Sequence, residues 1–211
     1  MYLQTCIKGI HGITDDQAED ILKRQGLMCN WWRRVRRISS AEIAERLTDA
    51  ELELHVNAYD EHHPHRQGPV HQETPFLSLA AGTVERNTFL KTNLVHPAQR
   101  TALNFATDFG RLRGTCYLFH CWVVVGLTRA VPVRHLAEEV RDLNTYRRYS
   151  AFQLEGEVTA KIDVPSCQIQ LFERYHVTAE KTGGIRIAHA GNVLNPAYIE
   201  PTAVANIRRA F

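Results

Sequence analysis

The run TCYLFHCWVVVGL, residues 115–127, constrains this chain more than any other stretch. Aromatic and β-branched side chains crowd it, and such residues suit a pleated, half-buried surface. It reads as a strand, the firmest in the sequence. Residues 2–10 read as a first strand, and TPFLSLAAG as another that ends at Gly82. FQLEGEVTAKI and QIQLFERYHV read as two more, on either side of a Val-Pro-Ser turn, and residues 181–187 as a hairpin tip around Gly183 and Gly184.

Helices fill the spaces between. Asp15 or Asp16 caps DDQAEDILKRQ, where Ala18, Ile21 and Leu22 fall at helical spacing and Gly26 provides the stop. Ser39 or Ser40 caps a single second helix, AEIAERLTDAELELHVNAY. AQRTALNFATDFG forms a third, closed by Gly110, and HLAEEVRDLNTYRRY a fourth whose Glu138 and Glu139 face Arg134 and Arg141 as a surface ion-pair set. EPTAVANIRRAF reads as a last short helix. The polar stretch DEHHPHRQGPVHQ, residues 60–72, reads as a mobile loop. Helices gather early and strands late, which argues for an α+β fold and against a wound parallel sheet.

With 211 residues, 44% of them hydrophobic and 23% charged, the chain suits one domain, residues 1–211, with a real core. A formal charge of +2 leaves attraction to nucleic acid to local patches. No apolar run is long enough to span a bilayer, and the N-terminus lacks the layout of a signal peptide, so a cytoplasmic protein with no membrane contact is expected. The five cysteines include no CxxC pair and read as reduced, buried side chains. His55, His62, His63, His65 and His71 match no closed zinc spacing, and no metal is expected.

Two patches invite a macromolecular partner. CNWWRRVRRISS interleaves Trp31 and Trp32 with Arg33, Arg34, Arg36 and Arg37, the mixture of cation and stacking surface that single-stranded nucleic acid uses. Its bland alternative is a core tryptophan beside solvated arginines. Tyr146, Arg147, Arg148 and Tyr149 form a second such cluster. Shortly after them stand Glu155 and Glu157, one residue apart and therefore on the same face of a strand. Taken alone, the pair reads as a solvated strand face before it reads as a catalytic pair.

Four pieces occur in a telling order: HGITDDQAEDILKRQGL, TPFLSLAAG, NFATDFG followed by YLFHCWVVV, and EGEV followed by Pro165 and Ile169. Over residues 2–170 this order resembles the ADP-ribosyltransferase superfamily, in its bacterial toxin-like, diphtheria-toxin-like and poly-ADP-ribose-polymerase-like branches. The resemblance implies an α+β, split antiparallel sheet with flanking helices around an NAD cleft. It implies transfer of ADP-ribose from NAD, the co-substrate, by a toxin-like or defence-related enzyme.

By the same resemblance Glu157 takes the place of the catalytic glutamate and Glu155 that of its paired carboxylate. A Gln153-x-Glu155 alignment is the alternative. His11 and Gly12 match the family's His-Gly, with Thr14 and Ser78 beside them on the NAD side. Leu79 and Ala80 depart from the family's Ser-Thr-Ser. Lys8 is the one basic residue upstream on the first strand.

The chemistry asks for such groups. Cleaving the nicotinamide–ribose bond develops oxocarbenium-like charge, which a carboxylate near the 2′-hydroxyl stabilises. A neighbouring carboxylate, its pKa pushed apart from the first, can prepare the nucleophile. The implied acceptor is a macromolecule, with RNA or DNA slightly favoured over protein, and an antitoxin or immunity protein is a conceivable partner. Water as acceptor, giving NAD hydrolysis, and a non-catalytic module that binds NAD or nucleic acid are the alternatives.

Overall fold

The computed structural model describes residues 2–35, 39–81, 83–87, 92–126, 136–139, 156–180 and 183–201. Strand β1 (Tyr2–His11) leads into helix α1 (Asp15–Asp20), which winds on into a π-helical turn, Ile21–Gln25. A short strand β2 (Leu27–Met28) precedes α2 (Asn30–Val35), α3 (Ser40–Arg46) and α4 (Asp49–Asn57). A polar loop closed by the one-turn helix α5 (Val70–Glu73) brings the chain to β3 (Phe76–Ala80). The hairpin β4 (Thr83–Asn87) and β5 (Thr92–His96) comes before α6 (Ala98–Ala106). Then follow β6 (Gly114–Val125), β7 (Leu136–Glu139), β8 (Glu157–Lys161), β9 (Asp163–Val164), β10 (Ile169–Ala179) and β11 (Ile185–Leu194).

Seven strands make the main sheet, in the order β1-β3-β8-β7-β6-β10-β11. Strand β1 also pairs with β6, so β1, β3, β8, β7 and β6 close on themselves, and β10 and β11 extend from β6. Among the described residues the pairings in this sheet are antiparallel, save that of β6 with β7. This is the expected α+β arrangement of an antiparallel core with flanking helices.

Strand β6 shows why the run at 115–125 is apolar throughout. Tyr117, Phe119, Cys121, Val123 and Val125 enter the larger core with Leu22, Trp31 and Phe172. Cys116 and Leu118, on the other face, enter a smaller core with Ala102 and Ala106 of α6. A strand covered on both faces needs no polar alternation. Each large side chain fully buried there contributes about 1.5–3 kcal/mol.

Helix α6 lies directly on β1 at Gly9. A Cβ added at Gly9 would stand 2.2 Å from the carbonyl oxygen of Ala102 and 2.8 Å from the Ala106 Cβ. Glycine there lets strand and helix touch backbone to backbone, which fixes where β1 and its side chains sit.

Local detail departs from the sequence pattern in four places. Thr14 caps α1, in place of Asp15 or Asp16: its hydroxyl accepts the Gln17 N–H at 3.2 Å, and the Gln17 side chain accepts the Thr14 N–H at 2.9 Å. The two aspartates occupy the first turn, where carboxylates favour the helix dipole. The single helix expected after Ser39 is two. Ser39 caps α3 in a reciprocal bond with Glu42, Leu47 leaves the helix at φ −87° and ψ 62°, and Thr48 caps α4 through the Glu51 N–H.

The pattern from 135 to 149 predicts a helix, but residues 136–139 form β7, with Ala137 fully buried between Val125 and Ala160. So short an apolar segment carries no decisive period. Glu138 and Glu139 therefore belong to a strand and not to a helical ion-pair face. The polar stretch before Pro97 holds the β4–β5 hairpin. The rest of the predicted 135–149 helix and the helix predicted from residue 202 onward lie outside the described residues. Among the described residues no helix is long and apolar enough to cross a membrane.

Replacing Gly9 by alanine is expected to lower unfolding stability by about 1–3 kcal/mol in chemical denaturation, because α6 must lift off the strand. An unchanged midpoint would contradict the close contact.

Candidate active site

Elements distant in sequence converge on one carboxylate. In the β3–β8 pair Ala80 lies opposite Glu157 and Ser78 opposite Thr159. Residues two apart share a face, so Ser78, Glu157 and Thr159 stand together. Helix α4 adds His55, whose side chain is 1% exposed. Its Nε2 lies 2.9 Å from the Ser78 Oγ and 3.6 Å from the Glu157 Oε1. The Thr159 hydroxyl donates to the same Glu157 oxygen at 3.3 Å.

The donors can be followed back along α4's neighbours. The Phe76 N–H donates to the Thr74 Oγ1 at 3.2 Å, and that hydroxyl lies 3.0 Å from the His55 Nδ1. Nδ1 is thus bonded to Thr74, Nε2 lies within reach of both Ser78 and Glu157, and His55 and the Ser78 hydroxyl each offer the carboxylate a hydrogen bond. A run of hydroxyl, imidazole and hydroxyl thus presents a proton to a carboxylate.

Lys8 supplies charge. It shares the inward face of β1 with Cys6, which is 2% exposed. Burial pushes its pKa down to about 8; the Glu157 carboxylate pulls it up, and the Arg33 guanidinium pushes it down. Burial raises the Glu157 pKa, but His55, the Ser78 hydroxyl and the Lys8 ammonium more than offset it and hold the carboxyl below its ordinary range.

A cavity of about 320 Å³ opens beside this group, with Lys8, His11, Arg33, Tyr59, His71 and Ser78 in its walls. Ser78 thus touches both the cavity and Glu157. His11, at the end of β1, donates from Nε2 to the Arg113 carbonyl at 2.9 Å and lines the same cavity. Gly12 turns the chain at φ +77°. Thr14 is occupied as the cap of α1 and is not part of the cavity wall.

The tryptophan–arginine segment divides. Trp31 is 3% exposed, with the Arg46 guanidinium 4.5 Å from its ring centroid, so it has no open face on which a base could stack. Trp32 packs half-buried against the same core. Arg34 is tied to the Glu73 carboxylate and to the Gln72 carbonyl, while Arg33 reaches the cavity. Glu155, Tyr146, Arg147, Arg148 and Tyr149 lie outside the described residues.

Sequence reasoning missed His55 and weighed it only as one of five possible metal ligands. The signal was present: with Leu52 and Val56 it forms the i, i+3, i+4 stripe of a buried helix face. A histidine on such a stripe needs polar partners inside. Among the described residues no group of three His, Cys, Asp or Glu side chains could hold a metal ion.

No family model matches the sequence, and no curated protein matches it. Solved structures do. EcPltA matches at a TM-score of 0.50 and 7% identity, over 93% of this chain and 88% of that one. The chain has the ADP-ribosyltransferase fold. A heat-labile enterotoxin double mutant matches at a TM-score of 0.42 and 14% identity, over 92% of this chain and 62% of that one. The catalytic domain of the mosquitocidal toxin from Bacillus sphaericus matches at 0.41 and 15%, over 96% and 59%. In this ADP-ribosyltransferase fold, Glu157, Ser78 and Lys8 come from three neighbouring strands of the closed part of the sheet.

Affinity for an anionic ligand in this cavity is expected to fall as pH rises through about 8, approaching tenfold per further pH unit, because Lys8 is charged only below its pKa. Lys8→Arg should keep the affinity flat to about pH 10. A wild-type titration that is flat across this range would remove Lys8 from the binding site.

Proposed function

We propose that this protein is an NAD-dependent ADP-ribosyltransferase, toxin-like or defence-related, whose single domain spans residues 1–211. It takes NAD as co-substrate and transfers ADP-ribose to a macromolecular acceptor in the cytoplasm. The observation that carries this reading is the Glu157 carboxylate, held ionised by His55, Ser78 and Lys8 directly behind a cavity of about 320 Å³, in whose wall Ser78 and Lys8 stand and Glu157 itself does not. That volume falls at the small end of the range for ligand sites, about 300–1,000 Å³, and suits the nicotinamide riboside end of a dinucleotide.

Each group has a task. Glu157 accepts a hydrogen bond from the ribose 2′-hydroxyl and stabilises the positive charge that develops as nicotinamide leaves with the bonding pair. Ser78 and His55 fix the direction of that carboxylate. Lys8 and Arg33 offer positive charge to the diphosphate. His11, with Nε2 committed to the Arg113 carbonyl, keeps Nδ1 to accept from a ribose hydroxyl. Glu155 is assigned the task of taking the proton from the acceptor. No step in this scheme calls for a metal.

An enzyme that consumes NAD inside the cell that makes it needs restraint, so an antitoxin or immunity protein belongs to the proposal. The nucleic-acid reading of the acceptor leaned on Trp31 as a stacking surface, and that ring is covered. Arg33 remains on the cavity wall to meet either class of acceptor.

The test is to follow label from NAD. Label on a polymer supports transfer, free ADP-ribose alone supports hydrolysis with water as acceptor, and intact NAD rejects both. Glu157→Gln is expected to cut turnover about 100–1,000-fold, while NAD affinity at about pH 6.5 changes only a few-fold. Full activity in that variant would rule out the assignment.

A further inference from the structure

Beside the mouth of the cavity lies a surface that the chemistry does not use. Phe105 is 52% exposed, Phe109 61%, Leu112 40%, Ile185 40% and Ile187 42%, all large apolar side chains in water. They are not scattered. Phe105 and Phe109 meet edge to face with centroids 5.4 Å apart. Ile185 rests on Gly110, where an added Cβ would stand 2.1 Å from its Cδ1. Ile185 and Ile187 project from the same side of β11, the last strand of the sheet. Phe105 and Leu112 also form part of the cavity wall, so the patch runs without a break into the candidate active site.

We propose that this patch docks the acceptor, and that the acceptor is a protein presenting an apolar contact with an acidic border. The inference rests on the transferase reading above. Contiguous exposed apolar surface of this kind marks binding sites. Its position at the cavity mouth selects a molecule that must also reach Glu157. The border of the patch on that side of the sheet is basic on balance: Arg111 and Arg113 are exposed, against Asp108. The Arg111 side chain is 80% exposed, and its distance of 3.6 Å to Asp108 is too long for a hydrogen bond. Aromatic centres bordered by arginine are typical of protein interfaces.

Cations beside phenylalanine would also serve a single-stranded nucleic acid, but the composition favours protein. Leu112, Ile185 and Ile187 offer no ring to a base. The two phenylalanines are set edge to face, so they do not present parallel platforms for successive bases. Branched aliphatic side chains next to aromatic ones instead suit the apolar side chains of a protein partner.

The experiment compares wild type with the double substitution Phe109→Asp and Ile187→Asp, and with the conservative pair Phe109→Leu and Ile187→Val. Neither position lines the cavity. Each protein is incubated with labelled NAD, with and without whole-cell lysate, and the labelled polymer is treated with protease or nuclease. Nicotinamide release without lysate should stay within about twofold in all three proteins, as for exposed substitutions elsewhere. Protease-sensitive label should fall at least about tenfold in the aspartate variant and persist in the conservative one.

Undiminished labelling by the aspartate variant, with nicotinamide release intact, overturns the docking surface and leaves the transferase reading standing. Nuclease-sensitive label overturns the protein acceptor. A concentration-dependent dimer in sedimentation, lost in the aspartate variant, assigns the patch to a second copy of this chain and also overturns the proposal. Absence of nicotinamide release by wild type removes the transferase reading, and the docking inference with it.

Discussion

A carboxylate buried in a sheet stays ionised only if its surroundings replace the water it has lost. Glu157 meets that demand through groups drawn from four parts of the chain. Lys8 comes from β1, His55 from α4, Ser78 from β3 and Thr159 from β8 itself. None of these partners is a neighbour in sequence apart from Thr159, so the compensation that keeps the carboxyl below its ordinary range exists only in the folded molecule. The closed pairing of β1, β3 and β8 gives the fold its chemical purpose: it brings an ammonium, a hydroxyl and a carboxylate onto adjoining strands.

The helical layer obeys the same constraint at a second pair of buried acids. Glu73 in α5 receives Arg34 from α2 and Arg46 from α3, and the Arg46 guanidinium also covers the Trp31 ring. Glu51 in α4 receives Arg66 and the buried His63 from the polar loop. These contacts pin residues 58–73 to the helices that precede them. Without such contacts the loop would be free to wander, and with it Tyr59 and His71, which both face the cavity. The histidine-rich loop is polar in sequence because Arg66 and His63 turn inward onto Glu51, as well as because it meets solvent.

The strands were legible because burial on one face or two leaves a mark in composition. TCYLFHCWVVV, TPFLSLAA and QIQLFERYHV announce β6, β3 and β10, and the four-part order announces the fold. The site was legible where one element carried the signal, as with Ser78 and Glu157. It was not legible where the meaning lay in contact across the fold. Nothing near His55 in sequence says that a serine 23 residues later will receive its hydrogen bond. Trp31 misled for the same reason: a tryptophan among arginines looks exposed until Arg46, from another helix, is found lying over its ring. The segment 136–139 misled because four residues are too few to display a period, and its pairing with β6 and β8 decides its form.

The coupling between Lys8 and Glu157 makes each group part of the other's titration. The carboxylate is one of the forces that hold the Lys8 pKa up against burial and the Arg33 charge. Neutralising Glu157 removes that support, so Lys8 in a glutamine variant deprotonates at a lower pH than in the native site. At mildly alkaline pH such a variant then loses affinity for an anionic ligand as well as turnover, and the loss imitates a binding defect. At acid pH Lys8 stays charged in both forms, and the difference that remains belongs to the carboxylate alone. Two coupled charges cannot be assigned separate roles at a single pH. The separation requires the pH at which only one of them has changed.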